Sequence, residues 1–533
     1  MLQIKNLTLK ANETILVDDL NFTLNYGETL AIVGESGSGK SLTSLAIMGL
    51  LPKQVHITHG EIIFESENLL LKPEKDLRRL RGKVISMIFQ EPMTSLNPLM
   101  HCGLQVTEVI MLHEKVSYQE AKKLTLKLFE EVQLPRKEVL FESYPYQLSG
   151  GQKQRVMIAM AMACNPQLII ADEPTTALDA SVQRGIVALL QQMQQRRQCG
   201  IIFITHDLHL ASTIAHHTLV MQQGKAVELN TTAEIFTHPQ QKYTKALLQC
   251  MPDLKVKKDW LPTLDDIIHD RKIETYAKTV NRAEEVLVSM EALNLHYEKQ
   301  KFIFGKKEVF QALSNINLQI FKGETLALVG ESGSGKSTLG KALLGLEKNI
   351  TGTIKFNIPS SKTHHFASMV FQDPFGSLNP QHTIGNAIME PMWVHRVYPT
   401  KMECKKQVFA ILEKVGLLPE HFNRYPHEFS GGQRQRIAIA RALVLNPQFI
   451  VLDEAVSALD VSVQAQILNL LKQLQLEFGF TYLFITHDLS VVRFIADRVV
   501  VLSKGEIQEI ATADALFLNP QSEYTKYLLE CAG

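Results

Sequence analysis

The chain contains one eight-residue stretch twice: Gly34-Glu35-Ser36-Gly37-Ser38-Gly39-Lys40-Ser41 returns, letter for letter, as Gly330-Glu331-Ser332-Gly333-Ser334-Gly335-Lys336-Ser337. Both copies fit the phosphate-binding loop, in which a glycine and four further residues precede Gly-Lys and then Ser or Thr. The glycines let backbone N–H groups point at the β- and γ-phosphates, the lysine adds a fixed charge, and the serine hydroxyl suits Mg²⁺. A flexible glycine-serine linker is the alternative, and two identical copies disfavour it.

The residues around each loop predict a strand, a loop and a helix in succession. Thr29–Val33 and Thr325–Val329 are short apolar runs that end at the loops, as buried strands do. A helical pattern follows each loop. The context therefore supports nucleotide-binding loops in both halves of the chain.

The composition is that of an ordinary globular protein of several domains, with 533 residues, 45% hydrophobic and 21% charged. Lys+Arg and Asp+Glu are equal at 55 each, so the net charge favours neither a polyanion nor a strongly acidic partner. No apolar run approaches the roughly 18–20 residues of a membrane helix, and the N-terminus lacks a signal-peptide pattern. We therefore expect a cytosolic chain that reaches a membrane through a partner. The six cysteines form no Cys-x-x-Cys pair, which indicates reduced, mostly buried thiols rather than metal ligands.

The repeat extends far beyond the loops. Three further pairs share one offset of 281 residues: Ser149 with Ser430, Asp172 with Asp453, and His206 with His487. The loop lysines lie 296 residues apart, so the first half carries an insertion, which we place in a surface loop around residues 54–81. The pattern predicts two copies of one domain, 1–253 and 287–533. A linker, 254–286, joins them, with one short helix around residues 264–271.

Within each half the predicted strands are continuous apolar runs, at residues 168–171, 201–204, 449–452 and 482–485. Runs without polar alternation are typical of parallel sheets buried on both faces, and helical patterns lie between them, which predicts an α/β fold. Between Gln90 and Ser149 the strand pattern is absent. Capping boxes that begin at Ser117 and Thr400 predict amphipathic helices, so each half contains a helical insert in an α/β core.

Two acidic pairs follow predicted strands, Asp172-Glu173 in the first half and Asp453-Glu454 in the second. A carboxylate at the end of a strand beside a phosphate loop suits Mg²⁺, and the next glutamate is placed to polarise a water for attack on the γ-phosphate. Such acids alone can also cap helices. Their pairing with the loop in both halves favours the catalytic interpretation.

Four more strand-end residues are candidates for contacts with the reacting phosphate. His206 and His487 each follow a buried strand in an Ile-Thr-His-Asp sequence. A lone histidine there is more often structural, but the repetition favours a γ-phosphate contact. Gln90 and Gln372 follow Met-Ile-Phe and Met-Val-Phe, and an amide there can touch Mg²⁺ or the attacking water.

A second anion-binding pattern occurs in each half, Leu148-Ser149-Gly150-Gly151-Gln152 and Phe429-Ser430-Gly431-Gly432-Gln433. Each opens a predicted helix, where a serine and exposed amides attract anions. A simple N-cap with a glycine turn is the alternative. A second phosphate site in one domain makes sense if two domains close on one nucleotide.

In this order, the loop, glutamine, Ser-Gly-Gly-Gln, Asp-Glu, Ala-Leu-Asp (Ala177-Leu178-Asp179 and Ala458-Leu459-Asp460) and histidine resemble ATP-binding-cassette ATPases. The resemblance covers both halves and implies two tandem cassettes. Each would have a P-loop NTPase core with a mostly parallel sheet, an antiparallel β subdomain and a helical insert. It implies ATP and Mg²⁺ as ligands, with the metal held by Ser41, Gln90 and Asp172 in one site and by Ser337, Gln372 and Asp453 in the other.

The resemblance also implies that the cassettes pair head to tail. One ATP site would combine Gly34 to Ser41, Gln90, Asp172, Glu173 and His206 with Ser430 to Gln433. The other would combine Gly330 to Thr338, Gln372, Asp453, Glu454 and His487 with Ser149 to Gln152. Fusion in one chain makes this pairing intramolecular.

Two further segments resemble the oligopeptide, dipeptide and nickel importers. They are the residues after each glutamine, Gln90 to Pro98 and Gln372 to Pro380, and the Pro-x-x-Tyr-Thr-x-x-Leu-Leu tails at residues 239–248 and 520–529. Two such cassettes in one chain are most similar to the Yej-type oligopeptide importer ATPase, and similar to the fused ATPase of glutathione importers. This implies a transport-coupled ATPase for peptides, peptide antibiotics included. It would lie on the cytoplasmic face of the inner membrane with two permeases and, indirectly, a periplasmic binding protein.

The sequence departs from the family pattern in two places. An aromatic ring usually stacks under adenine near the first strand; Tyr297 fits in the second half, whereas Ala11 takes the matching position in the first. Only Cys250 and Cys531 lie near the domain tails, so we expect no iron–sulfur site.

The rival function is a soluble twin-cassette translation factor on the ribosome. Such proteins carry a long charged helical linker, whereas residues 253–285 are short and lack a basic run. A DNA-repair ATPase would need inserted zinc-binding cysteine pairs, and a non-hydrolytic scaffold would be expected to lack Glu173 or Glu454.

Overall fold

The computed structural model describes residues 1–90, 95–176, 178–271, 285–300, 307–358, 366–457 and 459–532. The chain divides into two compact units, the first made of Met1–Leu178, Val182–Gln249 and Ile267–Asp270, the second of Asp179–Ser181, Cys250–Asp266 and Arg271–Gly533. The boundaries proposed from the sequence stay predictions. Residues 91–94, 177, 458 and most of the later linker, 272–284, lie outside the described residues.

The first unit contains two sheets. The antiparallel sheet has the order β2-β1-β4-β5, from β1 (Leu2–Ala11), β2 (Thr14–Leu24), β4 (Val55–Phe64) and β5 (Glu67–Asn68). The second sheet has the order β10-β9-β3-β8-β7-β6, from β3 (Thr29–Val33), β6 (Ile85–Ile88), β7 (Leu168–Asp172), β8 (Gly200–Ile204), β9 (His217–Gln222) and β10 (Lys225–Thr231). Its strands pair in parallel except where β10 meets β9.

Helices cover the faces of the second sheet and form the insert. They are α1 (Lys40–Met48), α2 (Glu74–Leu80), α3 (Cys102–Glu114), α4 (Tyr118–Glu131), α5 (Lys137–Phe141), α6 (Gly150–Ala161), α7 (Ala180–Arg197), α8 (Leu208–Ile214), α9 (Thr232–Thr237) and α10 (Lys242–Cys250). Short 3₁₀ turns occupy Leu69–Leu71 and Pro145–Gln147. The short helix that the sequence predicts in the linker is present as α11 (Leu264–Ile268).

The second unit repeats this plan. Its antiparallel sheet has the order β12-β11-β14, from β11 (Val286–Gln300), β12 (Lys307–Phe321) and β14 (Ile350–Phe356). Its larger sheet has the order β15-β16-β17-β13-β18-β19, from β13 (Thr325–Val329), β15 (Ala367–Val370), β16 (Phe449–Asp453), β17 (Thr481–Ile485), β18 (Arg498–Ser503) and β19 (Glu506–Thr512). The helices are α12 (Lys336–Leu343), α13 (Ile384–Val394), α14 (Lys401–Lys414), α15 (Gly431–Leu443), α16 (Val461–Phe478), α17 (Leu489–Ile495), α18 (Ala513–Leu518) and α19 (Glu523–Ala532), with 3₁₀ turns at Pro419–Asn423 and Pro426–Glu428.

The predicted strands are confirmed, and so is the α/β class. Every residue of β3, β7, β8, β13, β16 and β17 is buried, as the continuous apolar runs require. Burying each such Leu, Ile or Val side chain contributes about 1.5–3 kcal/mol to folding. The described residues between Gln90 and Ser149 form helices and turns, as predicted, and Ser117 and Thr400 accept the N–H groups of Glu120 and Glu403 as N-caps.

The insertion in the first half is not a surface loop, which corrects the prediction. After β4 the chain forms β5, a 3₁₀ turn and α2. Leu69 is buried, and Leu77 packs on the core of the antiparallel sheet. Arg81 donates to the carbonyl oxygens of Met48 and Gly49, at 2.7 and 2.9 Å, and so ties the insertion to the end of α1. The leucines at these spacings and this arginine are the reason the segment packs on the core.

Five of the six cysteines are buried and Cys531 is half-buried, in agreement with the prediction of mostly buried thiols. Over the residues that the structure describes, no helix combines the length and the apolar character needed to cross a bilayer.

Candidate active site

The two phosphate loops follow the central strands β3 and β13 and adopt a backbone that glycine makes possible. Gly34 has φ 149° and Gly39 has φ 95°; Gly330 and Gly335 have φ 150° and 105°. A Cβ atom on Gly34 would lie 2.1 Å from the carbonyl oxygen of Met221, so no larger residue fits there. The loops are therefore built alike, and their shape depends on glycine at these positions.

Each loop encloses its own lysine. Lys40 Nζ donates to the carbonyl oxygens of Gly34 and Glu35, both at 2.8 Å, and the side chain is buried. Lys336 Nζ makes the same contacts with Gly330 and Glu331, at 2.7 and 2.8 Å. Burial lowers the pKa of Lys336 from its usual value, although nearby carboxylates oppose that effect. The loops thus hold a positive charge at the edge of the sheet where the strands end.

A serine and an aspartate meet beside each lysine. Ser41 Oγ donates to Asp172 Oδ1 at 3.1 Å, and Ser337 Oγ donates to Asp453 Oδ1 at 2.9 Å. Burial raises the pKa of Asp172 to about 6, against the effect of the Ser41 hydrogen bond. Burial likewise raises the pKa of Asp453. A desolvated carboxylate next to a hydroxyl is a pair of oxygen donors that a cation would stabilise.

In the first unit, Glu173 collects three partners. Gln90 Nε2 donates to Glu173 Oε2 at 2.9 Å, Thr176 Oγ1 donates to the same oxygen at 2.9 Å, and His206 Nδ1 lies 3.3 Å from it. Burial alone would raise the pKa of Glu173, but the hydrogen bond and charge of His206, with Thr176 and Lys40, lower it to about 2. The carboxylate is therefore ionised at neutral pH.

The second unit repeats this cluster around Glu454. Gln372 Nε2 donates to Glu454 Oε2 at 2.7 Å, and His487 Nδ1 lies 3.4 Å from Oε1. Burial would raise the pKa of Glu454, but His487 lowers it overall. Conversely, burial would lower the pKa of His487, and the hydrogen bond and charge of Glu454 raise it above its ordinary value. Glutamate and histidine thus form a mutually stabilising pair in both units.

The order of the strands explains why residues so distant in sequence meet. In the first unit, β3, β8, β7 and β6 lie side by side and run in parallel. Their carboxyl ends carry Lys40, His206, the pair Asp172 and Glu173, and Gln90 in that order. Parallel strands present these ends at one edge, where open α/β sheets bind ligands. The structure therefore brings together the catalytic and metal candidates of each half.

The two glutamates have strained backbones. Glu173 and Glu454 both have φ 47°, in the left-handed region that residues with a Cβ rarely adopt. Their N–H groups donate to the carbonyl oxygens of Ile204 and Ile485, each at 2.9 Å, on the adjacent strand. Strain of this kind persists where the surroundings enforce it, which is characteristic of functional sites.

The Ser-Gly-Gly-Gln segments lie in the helical inserts. Ser149 Oγ accepts the N–H of Gln152 at 3.3 Å, and Gln152 Oε1 accepts the N–H of Ser149 at 3.0 Å. Ser430 and Gln433 form the same capping box at the start of α15. The N-cap interpretation therefore holds for these hydroxyls. Their contact with a phosphate, together with Gly150, Gly151, Gly431 and Gly432, stays a prediction.

Tyr297 and Ala11 occupy equivalent positions on the first strands of the two units. Leu2 pairs with Phe64 as Val288 pairs with Phe356, and each candidate lies nine residues further along its strand. Tyr297 is 39% exposed. Burial and a hydrogen bond to Glu347 raise the pKa of its hydroxyl, while a hydrogen bond to Thr338 lowers it. The ring thus lies next to the helix that follows the second loop, whereas the first unit has a methyl group there.

Sequence reasoning missed two kinds of residue. The hydroxyl of Thr176 contacts Glu173, and Ser457 Oγ lies 3.5 Å from Glu454 Oε2. Their shared offset of 281 residues is a signal that could have identified them. The tail tyrosines also reach the loops: the Tyr243 hydroxyl donates to Glu35 Oε2 at 3.4 Å, and the Tyr524 hydroxyl accepts the N–H of Glu331 at 3.2 Å.

Comparison with known proteins agrees with this geometry. The ABC transporter family model matches residues 17–176 and 313–457, and the model described as the oligopeptide/dipeptide transporter C-terminal region matches residues 227–272. Glutathione import ATP-binding proteins GsiA are similar over almost the whole chain. That of Shigella boydii is 46% identical over 534 residues, and that of Escherichia coli K12 is 46% identical over 536 residues; each alignment covers 96% of this chain and 86% of the relative.

Among solved structures, the complex of the archaeal ribosome recycling factor aABCE1 with stalk protein aP1 is similar at TM-score 0.57. The likeness covers 94% of this chain and 87% of that chain at 18% sequence identity, so it shows the fold alone. The sequence relatives are importer subunits, and they favour import over the ribosomal alternative. The chain belongs to the ABC transporter family, as an importer ATPase subunit that carries two ATP-binding cassettes.

Proposed function

We propose that this ATPase drives the import of short peptides, with glutathione-like tripeptides within its substrate class. One observation carries the proposal: 46% identity with glutathione import ATP-binding proteins over 96% of the chain, with the tail region of oligopeptide transporters inside the match. Because the chain supplies nucleotide chemistry, its permeases and a periplasmic binding protein would select the peptide.

In each unit the loop lysine and the loop amides would bind the β- and γ-phosphates of ATP. Glu173 and Glu454 would orient the attacking water. Since three neighbours stabilise the anionic form of Glu173, it is better suited to accept a hydrogen bond from water than to take its proton. Gln90 and His206 would hold that carboxylate in place, and Gln372 and His487 would do so for Glu454.

The serine and aspartate pairs fit Mg²⁺. Hydroxyl and carboxylate oxygens are the ligands that this ion prefers, and it usually takes only one or two carboxylates besides phosphate oxygens and water. Ser41, Gln90 and Asp172 would hold one ion, and Ser337, Gln372 and Asp453 the other. The ion neutralises charge on the phosphates during their transfer. The raised pKa of Asp172 reflects a buried, poorly solvated carboxyl, which supports such a site.

ATP would favour a closed arrangement of the cassettes and hydrolysis would favour reopening, as a ligand shifts a two-state equilibrium toward the state it binds better. The family resemblance supports pairing of each loop with the Ser-Gly-Gly-Gln segment of the other cassette. Two membrane permeases would receive this motion on the cytoplasmic face of the inner membrane.

The test is transport by the assembled complex. The full chain is purified with the permeases that accompany it from membranes, and is reconstituted in vesicles with the binding protein and either labelled glutathione or a neutral tripeptide. We expect ATP-dependent accumulation of peptide and hydrolysis stimulated by loaded binding protein. Absence of accompanying permeases, or hydrolysis stimulated by ribosomes instead, would contradict import.

A further inference from the structure

The segment that follows the first repeat is not a free linker in this structure. Residues Cys250–Asp266, which we call the strap, belong to the second unit, although the sequence places them between the domains. The strap begins where α10 of the first repeat ends and lies within residues 227–272, the match to the oligopeptide/dipeptide transporter C-terminal region. Its contacts therefore give this region a structural role.

One residue of α16 satisfies the backbone of the strap at its centre. Asn469 Oδ1 accepts the N–H of Leu261 at 3.1 Å, and Asn469 Nδ2 donates to the carbonyl oxygen of Leu261 at 2.7 Å. Leu261 is fully buried, and Asn469 is 4% exposed. Because buried backbone groups must find partners, this amide pairs with the strap much as a neighbouring strand would.

A second residue, one helical turn further along α16, holds the strap beside this point. Lys472 Nζ donates to the carbonyl oxygen of Asp259 at 3.1 Å. The same ammonium lies 3.8 Å from the centre of the Phe494 ring on α17, a favourable cation–π distance. Lys472 is therefore fixed between the strap and the second cassette.

Apolar contacts extend the attachment at both ends of the strap. Leu254 packs against the hydrophobic cluster of the second unit that includes Leu489 and Val492. Leu264, at the start of α11, is also buried. The strap is thus attached along its length by apolar anchors on either side of a hydrogen-bonded centre.

The first repeat supplies an internal control. The offset of 281 residues that relates the two cassettes places Ala188 opposite Asn469 and Gln191 opposite Lys472. Both lie on α7, which has 18 residues like α16. Gln191 Nε2 donates to the carbonyl oxygen of Thr213 within its own unit, at 2.8 Å. The two strap-binding side chains are therefore peculiar to the second cassette and are not required by the fold.

We propose that the strap is a docking element that attaches the tail of the first repeat to the second cassette, and that Asn469 and Lys472 are its specific receptors. Both receptors lie on α16 and not on a phosphate loop. The attachment therefore persists when nucleotide leaves, and it keeps the partner cassette at high effective concentration between cycles. This inference does not depend on which peptide is transported.

The first experiment follows backbone hydrogen exchange of the full chain, with and without ATP. Asn469→Ala installs the residue that the first cassette has, and should accelerate exchange of the Leu261 amide at least about tenfold in both conditions. Lys472→Gln, again the first-cassette residue, should do so to a smaller extent. Gln191→Ala is the matched control at the equivalent position of α7 and should leave the strap protected.

The second experiment places a specific protease site within residues 272–284 and cleaves the folded protein in nucleotide-free buffer. The halves of the wild type should co-elute in gel filtration, whereas those of Asn469→Ala with Lys472→Gln should separate at concentrations where the wild type does not. If that variant folds poorly, Asn469→Asp with Lys472→Gln replaces it, because the aspartate keeps the acceptor for Leu261. An unprotected Leu261 amide in the wild type, protection that requires ATP, or equal co-elution of variant and wild type would overturn the proposal.

Discussion

The two cassettes are most alike where phosphate chemistry would take place and least alike at its margins. The serine-to-aspartate distances are 3.1 and 2.9 Å, and the glutamine-to-glutamate distances are 2.9 and 2.7 Å. Even the unusual backbone of the two glutamates is the same, with φ 47° in each. Both units therefore contain a complete set of the predicted catalytic residues.

The margins differ in ways that have physical consequences. Tyr297 provides an aromatic surface where the first cassette has Ala11, and Asn469 provides a receptor for the strap where the first has Ala188. The comparison teaches that duplicated domains can keep one reaction centre and still differ in nucleotide affinity and in attachment. Three predictions test how far the equivalence of the centres extends.

The largest effect should follow from removing both catalytic carboxylates. Glu173→Gln with Glu454→Gln keeps the size of each side chain and removes its charge, so ATP hydrolysis should fall by at least about 10²-fold. Phosphate release from the purified chain measures the rate, and retention of ATP in the protein shows that the closed state still forms. Each single variant should lose activity to a similar degree if the two centres are equivalent.

The matched control for this loss of charge is Glu477→Gln. Glu477 pairs with Lys414 at the protein surface and belongs to neither strand-end cluster, so its variant should hydrolyse ATP at the rate of the wild type. Wild-type turnover in the double variant would refute the assigned roles, and strong loss in only one single variant would show that the centres are unequal.

A smaller effect, on stability, should follow from the desolvated aspartate. In nucleotide-free and Mg²⁺-free buffer at pH 7.5, Asp172→Asn should stabilise the fold by about 2 kcal/mol, because it removes a charge whose burial raises its pKa to about 6. The thermal unfolding midpoint should rise by a few degrees while hydrolysis is lost. Asp453→Asn should act in the same direction, since burial raises that pKa too.

The pH dependence of this gain has a definite sign. The pKa of Asp172 in the folded chain lies above its ordinary value of 3.8, so the cost of its charge is fully present above pH 6 and vanishes as the carboxyl is protonated. The advantage of Asp172→Asn should therefore shrink between pH 7.5 and pH 5. A lower unfolding midpoint for the variant at pH 7.5 would contradict desolvation as the dominant effect.

The smallest effect concerns the adenine side. Tyr297→Ala should weaken nucleotide binding at the second cassette by about 1 kcal/mol, roughly fivefold, if the ring stacks on the base. Labelling with azido-ATP, followed by cleavage in the linker, reports each cassette separately. Ala11→Tyr is the reciprocal variant and should strengthen labelling of the first cassette. Unchanged labelling in both variants would show that the difference between Ala11 and Tyr297 has no bearing on affinity.

Much of the candidate site could be predicted from the sequence because its residues lie at the ends of apolar strands. Parallel order then brings those ends to one edge, so Asp172, His206 and Gln90 converge without any long-range information beyond the strand pattern. The internal repeat doubled each signal. The helix caps at Ser117 and Thr400 were equally local and were confirmed.

What sequence reasoning missed depends on contacts between distant positions. The strap has mixed charge and a proline, which is typical of a linker, and its attachment depends on Asn469, 208 residues from Leu261. The insertion resembles a loop in sequence because Arg81 becomes a structural residue only beside the end of α1. Thr176 was overlooked because a hydroxyl next to an acidic pair has no pattern of its own.

The left-handed backbone at Glu173 and Glu454 also determines which substitutions can be interpreted. A β-branched residue there would have to adopt a conformation that it strongly disfavours, so a valine or threonine variant would report on backbone distortion as much as on a missing carboxylate. Glutamine leaves that conformation no worse than glutamate does. In a mutational scan of either cassette, only the polar, unbranched replacements at these two positions would therefore measure chemistry, and the remainder would measure folding.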